Sequence, residues 1–143
     1  MEIIANKGYY IKPHVIKAIG DKETPNDRFS ERIDVHIEKS YFEPIIRGME
    51  LAVEAGTGRQ AKVPGVRVAG KTGTAQNPHG RDHSVFACYA PVENPKIVVF
   101  VLVENSGWGG SVAAPIAGLI MERYLKGEVS RPDLEQRIKS MSF

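Results

Sequence analysis

The chain is predicted to be an α+β domain, an antiparallel sheet covered by helices, and three observations point there. Three strand-like segments, residues 66–76, 83–90 and 96–104, follow one another through short links, and such links favour an antiparallel meander over parallel crossovers. Segments of helical period, residues 45–53 and 116–125, flank this run on both sides. A length of 143 residues with 42% hydrophobic content suits one domain, or a large part of one, with a core of its own.

Each element has a local reason. Residues 1–6 read as the end of an element, with Gly8 placed to terminate a helix. Residues 9–19 alternate loosely and predict a strand, whereas residues 20–32, with Pro25, Asn26 and a run of charged side chains, predict a solvated loop. Ser40-Tyr41-Phe42-Glu43 has the form of a capping box, in which the Ser40 hydroxyl and the Glu43 carboxylate satisfy free N–H groups at a helix start. Ile45, Ile46, Met49, Ala52 and Val53 then recur at helical spacing, with Met49 as core filler and Gly56 closing the helix. A Gly56-Thr57-Gly58 turn and a polar loop lead to Gly65 and the first long strand. Beyond the turn-rich residues 77–82 come the other two strands, and the run Ile97–Val103, apolar without alternation, predicts that both its faces are covered. A glycine-rich turn bears Trp108, Ser111 is predicted to cap the last helix, and Pro115 lies near that helix's start. Its apolar face is assigned to Ile116, Leu119, Ile120, Tyr124 and Leu125, and Gly127 ends it. Residues 128–143 form a charged tail, a short helix or a frayed end.

Composition excludes several classes. A net charge of +2 with dispersed basic residues does not suggest a nucleic-acid partner. No apolar run approaches the roughly 18–20 residues of a membrane span, and Met1-Glu2-Ile3-Ile4 lacks the regions of a signal peptide, so the chain as given reads as soluble. That leaves the location of a longer parent open. The single Cys88 forbids an internal disulfide and is expected to be a buried, inert thiol. His79 and His83 have metal-like spacing but straddle Gly80 without a recognisable third ligand, which favours a structural or substrate-edge role over zinc. Trp108 is open to two readings, a docking surface for a partner or an aromatic packed back on its own domain.

The chemistry concentrates in Val68-Ala69-Gly70-Lys71-Thr72-Gly73-Thr74-Ala75-Gln76. Residues 65–72 satisfy the G-x-x-x-x-G-K-[ST] phosphate-binding pattern, and the apolar strand ending at Glu104 would suit a magnesium-binding partner. That motif, however, needs a buried strand before its first glycine and a helix starting at Lys71-Thr72. The polar stretch ending at Pro64 and the closely following Gly73 and Pro78 argue against both. Alternating Val66 and Val68 instead read as strand, which leaves Lys-Thr-Gly as the third signature of penicillin-recognising serine enzymes.

With Gly56-Thr57-Gly58, Asp82-His83-Ser84-Val85-Phe86 leading to Tyr89-Ala90-Pro91, Asn94-Pro95 between two strands, and Val103-Glu104-Asn105 before Gly107, the ordered set is specific. Over residues 33–126 the chain resembles the C-terminal part of the transpeptidase domain of class B penicillin-binding proteins, most closely the elongation-type penicillin-binding protein 2 group. The resemblance implies the C-terminal portion of the β-lactamase-like transpeptidase fold over residues 1–143. It implies D,D-transpeptidation of peptidoglycan stem peptides through an acyl-serine, β-lactams as covalent inhibitors, and no metal or organic cofactor. By position, Lys71 is implied to hold the substrate carboxylate and tune proton transfers, Thr72 and Thr74 to donate hydroxyls to it, and Gly73 to permit close approach. The Thr74 N–H is implied as an oxyanion donor, and Ala75 and Gln76 continue the substrate-binding strand. It further implies a parent anchored in the bacterial cytoplasmic membrane with this domain outside the cytoplasm, partnered by elongation-complex membrane proteins.

The family's nucleophile is missing: no serine here has a lysine three positions later, and no Ser-x-Asn occurs. The chain is therefore expected to be a C-terminal fragment, inactive alone, that completes its site with the upstream part of its own domain. Loss of that part is expected to leave apolar sheet surface and to favour self-association. A serine β-lactamase-like sensor shares Lys-Thr-Gly, and a non-catalytic interaction module would explain the missing serine.

Overall fold

The computed structural model describes residues 1–16, 18, 20 and 29–142. Helix α1 (Glu2–Ala5) ends where Gly8, at φ 120°, donates its N–H to the Ile3 carbonyl. Strands β1 (Tyr9–Ile11) and β2 (Arg32–Asp34) pair antiparallel, so the expected strand over residues 9–19 is confined to its first three residues. β2 begins at Arg32, within the segment taken for loop. Pro25 and Asn26 of that segment lie outside the described residues.

The main sheet is the expected meander. β3 (Ala69–Ala75), β4 (His83–Ala90) and β5 (Ile97–Val103) pair antiparallel in the order β3-β4-β5. β3 starts later than the Val66 and Val68 alternation implied, because Val66 folds back on Val63 around Pro64-Gly65, with Gly65 at φ 71°. Directly opposed residues share a face of a sheet, so the register divides the side chains into two sets. Gly70, Cys88 and Val99 form one row, followed on the same face by Thr72, Phe86 and Val101. The other face carries Lys71, Ala87 and Phe100, then Gly73, Val85 and Leu102.

Helix α3 (Ala113–Lys126) covers the first face. Phe86, Cys88, Val99 and Val101 there pack with Ala113, Ala114, Ala117 and Met121. This buried stripe of small residues corrects the sequence expectation, which put Ile116, Leu119, Ile120, Tyr124 and Leu125 inward. Ile120 and Tyr124 are exposed, and Ile116 and Leu125 only flank the core. Small residues win the inner face because the backbones come close: a Cβ on Gly118 would lie 3.0 Å from the Ala61 Cα. Burial pushes the Cys88 thiol up to about 12, in keeping with an inert core residue.

The opposite face is the second correction. β5 was expected to be covered on both sides, but its outward side chains Val98, Phe100 and Leu102 are 41%, 63% and 49% exposed. Its unbroken apolar pattern reports two buried-type faces, and the described residues supply a helical layer for one.

Helix α2 (Phe42–Glu54) buries Phe42, Ile46, Met49 and Val53, three and four residues apart, while Ile45, expected inside, is exposed. The predicted capping box is absent. Ser40 lies in a 3-10 turn (Lys39–Tyr41) that feeds the helix, and no side chain caps it. Ser111 does not cap α3 either: the Ala113 N–H donates instead to Ser84 Oγ at 3.0 Å, from the middle of the sheet. Gly127, at φ 80°, ends α3 as expected. The charged tail contains α4 (Pro132–Lys139), attached where Ser130 Oγ and Arg131 Nε donate to the buried Glu122 carboxylate.

Candidate active site

β3 is bonded to β4 alone among the described residues, so one long edge of the strand stays open. Gly70 lets it sit flush, since a Cβ there would come within 2.5 Å of the Phe86 ring. From that base the period of two sends Thr72 and Thr74 to the same side. Both line a cavity of about 600 Å³ with Thr57, Arg59, Trp108 and Gly109 among the other lining residues. Thr57 Oγ1 lies 2.8 Å from Thr72 Oγ1, a hydrogen bond that ties the Gly56-Thr57-Gly58 turn to the strand.

The far wall is the loop between β5 and α3, held by three devices. Gly109 packs so tightly that an added Cβ would sit 2.2 Å from the Val85 carbonyl oxygen and 2.5 Å from that of Gly73. A Cβ on Gly110 would lie 2.4 Å from the Thr57 carbonyl oxygen. Ser84, fully buried, donates its hydroxyl to the Trp108 carbonyl at 3.0 Å and accepts the Ala113 N–H.

A polar clamp fastens the same loop to the β3–β4 connection. Asn77 Nδ2 donates to Asn105 Oδ1 at 2.7 Å, the Asn77 N–H donates to Asp82 Oδ1 at 3.1 Å, and the Gly107 N–H donates to the Asp82 carbonyl at 2.7 Å. The Asn105 N–H donates to His83 Nδ1 at 3.0 Å, which requires that this ring nitrogen carry a lone pair. His83 is thus a structural acceptor, and the His79 N–H donates to Asn77 Oδ1 in the same turn. Sequence reasoning quoted Ser84 and Asn105 only as part of the resemblance and gave neither them nor Asn77 a role of its own. The only local signal is Asn105 itself, whose φ of 55° is a conformation asparagine tolerates better than most residues.

The remaining sequence-selected residues fall elsewhere. Lys71 is exposed on the opposite face, beside Ala87, and its Nζ donates to the Thr72 carbonyl at 2.6 Å. It does not line the Thr72 and Thr74 cavity. Gly73 has room for a Cβ, 3.4 Å from that of Val85, so packing within the chain does not demand glycine there. Ala75 and Gln76 are exposed at the strand's end. Trp108 is 76% exposed on the cavity rim, so it is not packed back on its own domain. Lys71 and Thr72 pair in register with Ala87 and Phe86, and no helix starts there. The phosphate-loop reading therefore fails on geometry.

Known proteins share this fold. Residues 1–122 match the penicillin binding protein transpeptidase domain family. The chain is 41% identical, over 143 aligned positions, to the peptidoglycan D,D-transpeptidase MrdA of Haemophilus influenzae, covering 86% of this chain and 22% of that protein. It is 34% identical to the peptidoglycan D,D-transpeptidase PbpA of Mycobacterium tuberculosis, covering 87% of this chain and 28% of the relative. The chain thus spans about a quarter of the length of these relatives. Among solved structures, Pseudomonas aeruginosa PBP2 in complex with WCK 5153 superposes with a TM-score of 0.74 at 34% identity, covering 87% of this chain and 27% of that one. The ceftriaxone acyl-enzyme complex of penicillin-binding protein A from M. tuberculosis superposes with a TM-score of 0.71 at 28% identity, covering 87% and 30%. No helix among the described residues is long and apolar enough to cross a membrane. With its α+β meander and its Lys-Thr-Gly strand on an open edge, the chain belongs to the penicillin-binding protein transpeptidase family.

Proposed function

We propose that this chain forms one wall of the active site of a serine-type peptidoglycan D,D-transpeptidase that β-lactams acylate. The observation that carries the reading is the pairing of the Thr72 and Thr74 side chains in one cavity beside an open strand edge. A serine oxygen attacks the carbonyl carbon before the terminal D-alanine, the tetrahedral oxyanion collapses, and D-alanine leaves as the amine. An amine of a second stem peptide then attacks the acyl-serine and releases the serine. In this scheme the Thr74 N–H stabilises the oxyanion, a contribution of a few kcal/mol for one such donor. The Thr72 and Thr74 hydroxyls bind the substrate's carboxylate, and Gly73 leaves the strand surface clear for the substrate backbone. Ala75 and Gln76 extend that binding edge. Lys71, whose side chain leaves the other side of the strand, supplies positive charge that tunes proton transfers in the completed site.

The serine belongs to another part of the domain, because no Ser-x-x-Lys occurs in this chain. That part would also cover Val98, Phe100 and Leu102, whose apolar surface the chain leaves open. Membrane anchoring of the parent and contacts with elongation-complex proteins remain expectations of the same reading.

Fluorescent penicillin tests it directly. The complete protein is expected to take one covalent label, and the isolated 143-residue chain none. Label on the isolated chain would show that the nucleophile lies within it; an unlabelled complete protein would remove the transpeptidase reading.

A further inference from the structure

The Thr72 and Thr74 cavity has one charged side chain among its eleven lining residues, Arg59. The others whose side chains can hydrogen-bond are neutral: Thr57, Gln60, Thr72, Thr74, Trp108 and Ser111. Lys71, the cation that the motif draws attention to, lies on the opposite face with its ammonium on a backbone carbonyl. Positive potential inside the cavity therefore comes from Arg59.

Its position is built rather than incidental. Arg59 opens a 3-10 turn (Arg59–Ala61) in which the Gly58 N–H donates to the Ala52 carbonyl at 2.9 Å and the Ala61 N–H to the Gly58 carbonyl at 2.8 Å. Ala61 is fully buried against Gly118 of α3, so the root of the side chain is fixed to two helices. The tip is uncommitted. Arg47, Arg67, Arg131 and Arg137 each donate to a carboxylate or amide oxygen, whereas the Arg59 guanidinium, like those of Arg81 and Arg123 outside the cavity, has no partner among the described residues. A guanidinium presents a planar fork that matches a carboxylate, and hydrogen bonds to ionised partners are the strong ones.

We propose that Arg59 is a specificity-determining residue that selects acyl donors bearing a carboxylate, acting with the Thr72 and Thr74 hydroxyls; this rests on the acyl-transfer reading above. The cation draws the anion to the cavity and the threonines orient it. Because Arg59 holds the carboxylate before as well as during reaction, its loss weakens binding more than the limiting rate of acylation.

The test uses the complete protein, Arg59→Gln and Arg59→Lys, with two acylating probes: a penicillin with its free carboxylate and the methyl ester of the same compound. Acyl adducts are followed by mass spectrometry across probe concentration. Arg59→Gln is expected to slow acylation by the free acid about tenfold, in the range for one charge-assisted hydrogen bond. The loss should fall in the half-saturating concentration and leave the ester's rate unchanged, and Arg59→Lys should recover much of it. Equal loss with both probes, or no loss with the free acid, overturns the role of Arg59 while leaving acyl transfer intact. A wild-type protein that neither probe acylates takes down the acyl-transfer reading, and the inference with it.

Discussion

Ser84 in the central strand caps α3 across the fold, accepting the Ala113 N–H at 3.0 Å. The same hydroxyl donates to the Trp108 carbonyl, so one buried atom joins sheet, helix start and cavity wall. Ser84→Ala leaves the buried Ala113 N–H unpaired and takes one of two donors from the Trp108 carbonyl, which keeps the Ser111 N–H at 3.0 Å, and is expected to destabilise the complete domain by about 1–3 kcal/mol in urea unfolding. Acylation by penicillin should slow as well, because the helix start and Trp108 would drift together.

Gly109 tests the wall from the other side. Its Cβ in Gly109→Ala would meet backbone oxygens of both β3 and β4, and a methyl group has no rotamer by which to escape. The loop must lift off the strand, and misplacement of about 1 Å at a reacting site costs on the order of a hundredfold in rate. A loss of about that size in acylation rate is expected. Gly48→Ala serves as control: it lies mid-helix in α2 with nothing near a new Cβ, and should stabilise by about 0.5–1 kcal/mol.

Glu50 couples stability to pH. Its carboxylate is buried on α2, takes a two-point fork from Arg67 ahead of β3, and accepts from Arg47 at 3.0 Å. Arg67's hydrogen bonds, with help from Arg47, outweigh the burial that alone would raise it, so the group titrates below its ordinary 4.5. A depressed folded value means that the stabilisation is fully present above about pH 4.5 and is lost as pH falls through the folded-state value. Glu50→Gln should therefore lower stability at pH 7 by about 2 kcal/mol, the scale of hydrogen bonds to a charged group. Its deficit should shrink below pH 4.5, and an undiminished deficit in acid melts would contradict the coupling.

What could be read from the chain alone divides by range of interaction. β4 runs from His83 to Ala90, end to end as expected, and the side shared by Thr72 and Thr74 follows from the period of two. The same period sends Lys71 to the other face, a consequence legible in the sequence once residues 71–74 are taken as strand. Local capping patterns at Ser40 and Ser111 misled, because the true cap of α3 comes from Ser84, 29 residues away. The Asn77 and Asn105 clamp spans 28 residues and leaves no periodic trace. β5 misled for another reason: an apolar run states that both faces avoid water, not which layer covers them.

Thr57 and Thr72 share one hydrogen bond, so their contributions to acylation should not add. Thr72→Val removes a donor that faces the cavity and strands Thr57, whereas Thr57→Val leaves the Thr72 hydroxyl free to reorient. The expected order is a loss of about tenfold or more for Thr72→Val and a smaller one for Thr57→Val. The double variant should match Thr72→Val within about a factor of two, the usual resolution of such cycles. Acylation rates of the three proteins with one penicillin check this.

The uncovered sheet face decides how the isolated chain behaves. Phe100 sits in a row with Ala87 and Lys71, next to Leu102, and the three exposed apolar side chains of β5 lie on one side of the strand. β5 is also bonded to β4 alone among the described residues, so exposed apolar surface adjoins an open strand edge. An edge of this kind is a template for pairing. The isolated chain should therefore self-associate in sedimentation as its concentration rises, while Phe100→Lys, which puts a charge at the centre of the face, should move it toward monomer. In the complete protein the same substitution would bury that charge under the rest of the domain, an environment that charged groups tolerate only when paired. The signature is thus opposite in the two contexts: better solution behaviour for the isolated chain, and loss of folded yield for the complete protein. Monomeric sedimentation of the unsubstituted chain at high concentration would count against the whole account of this face.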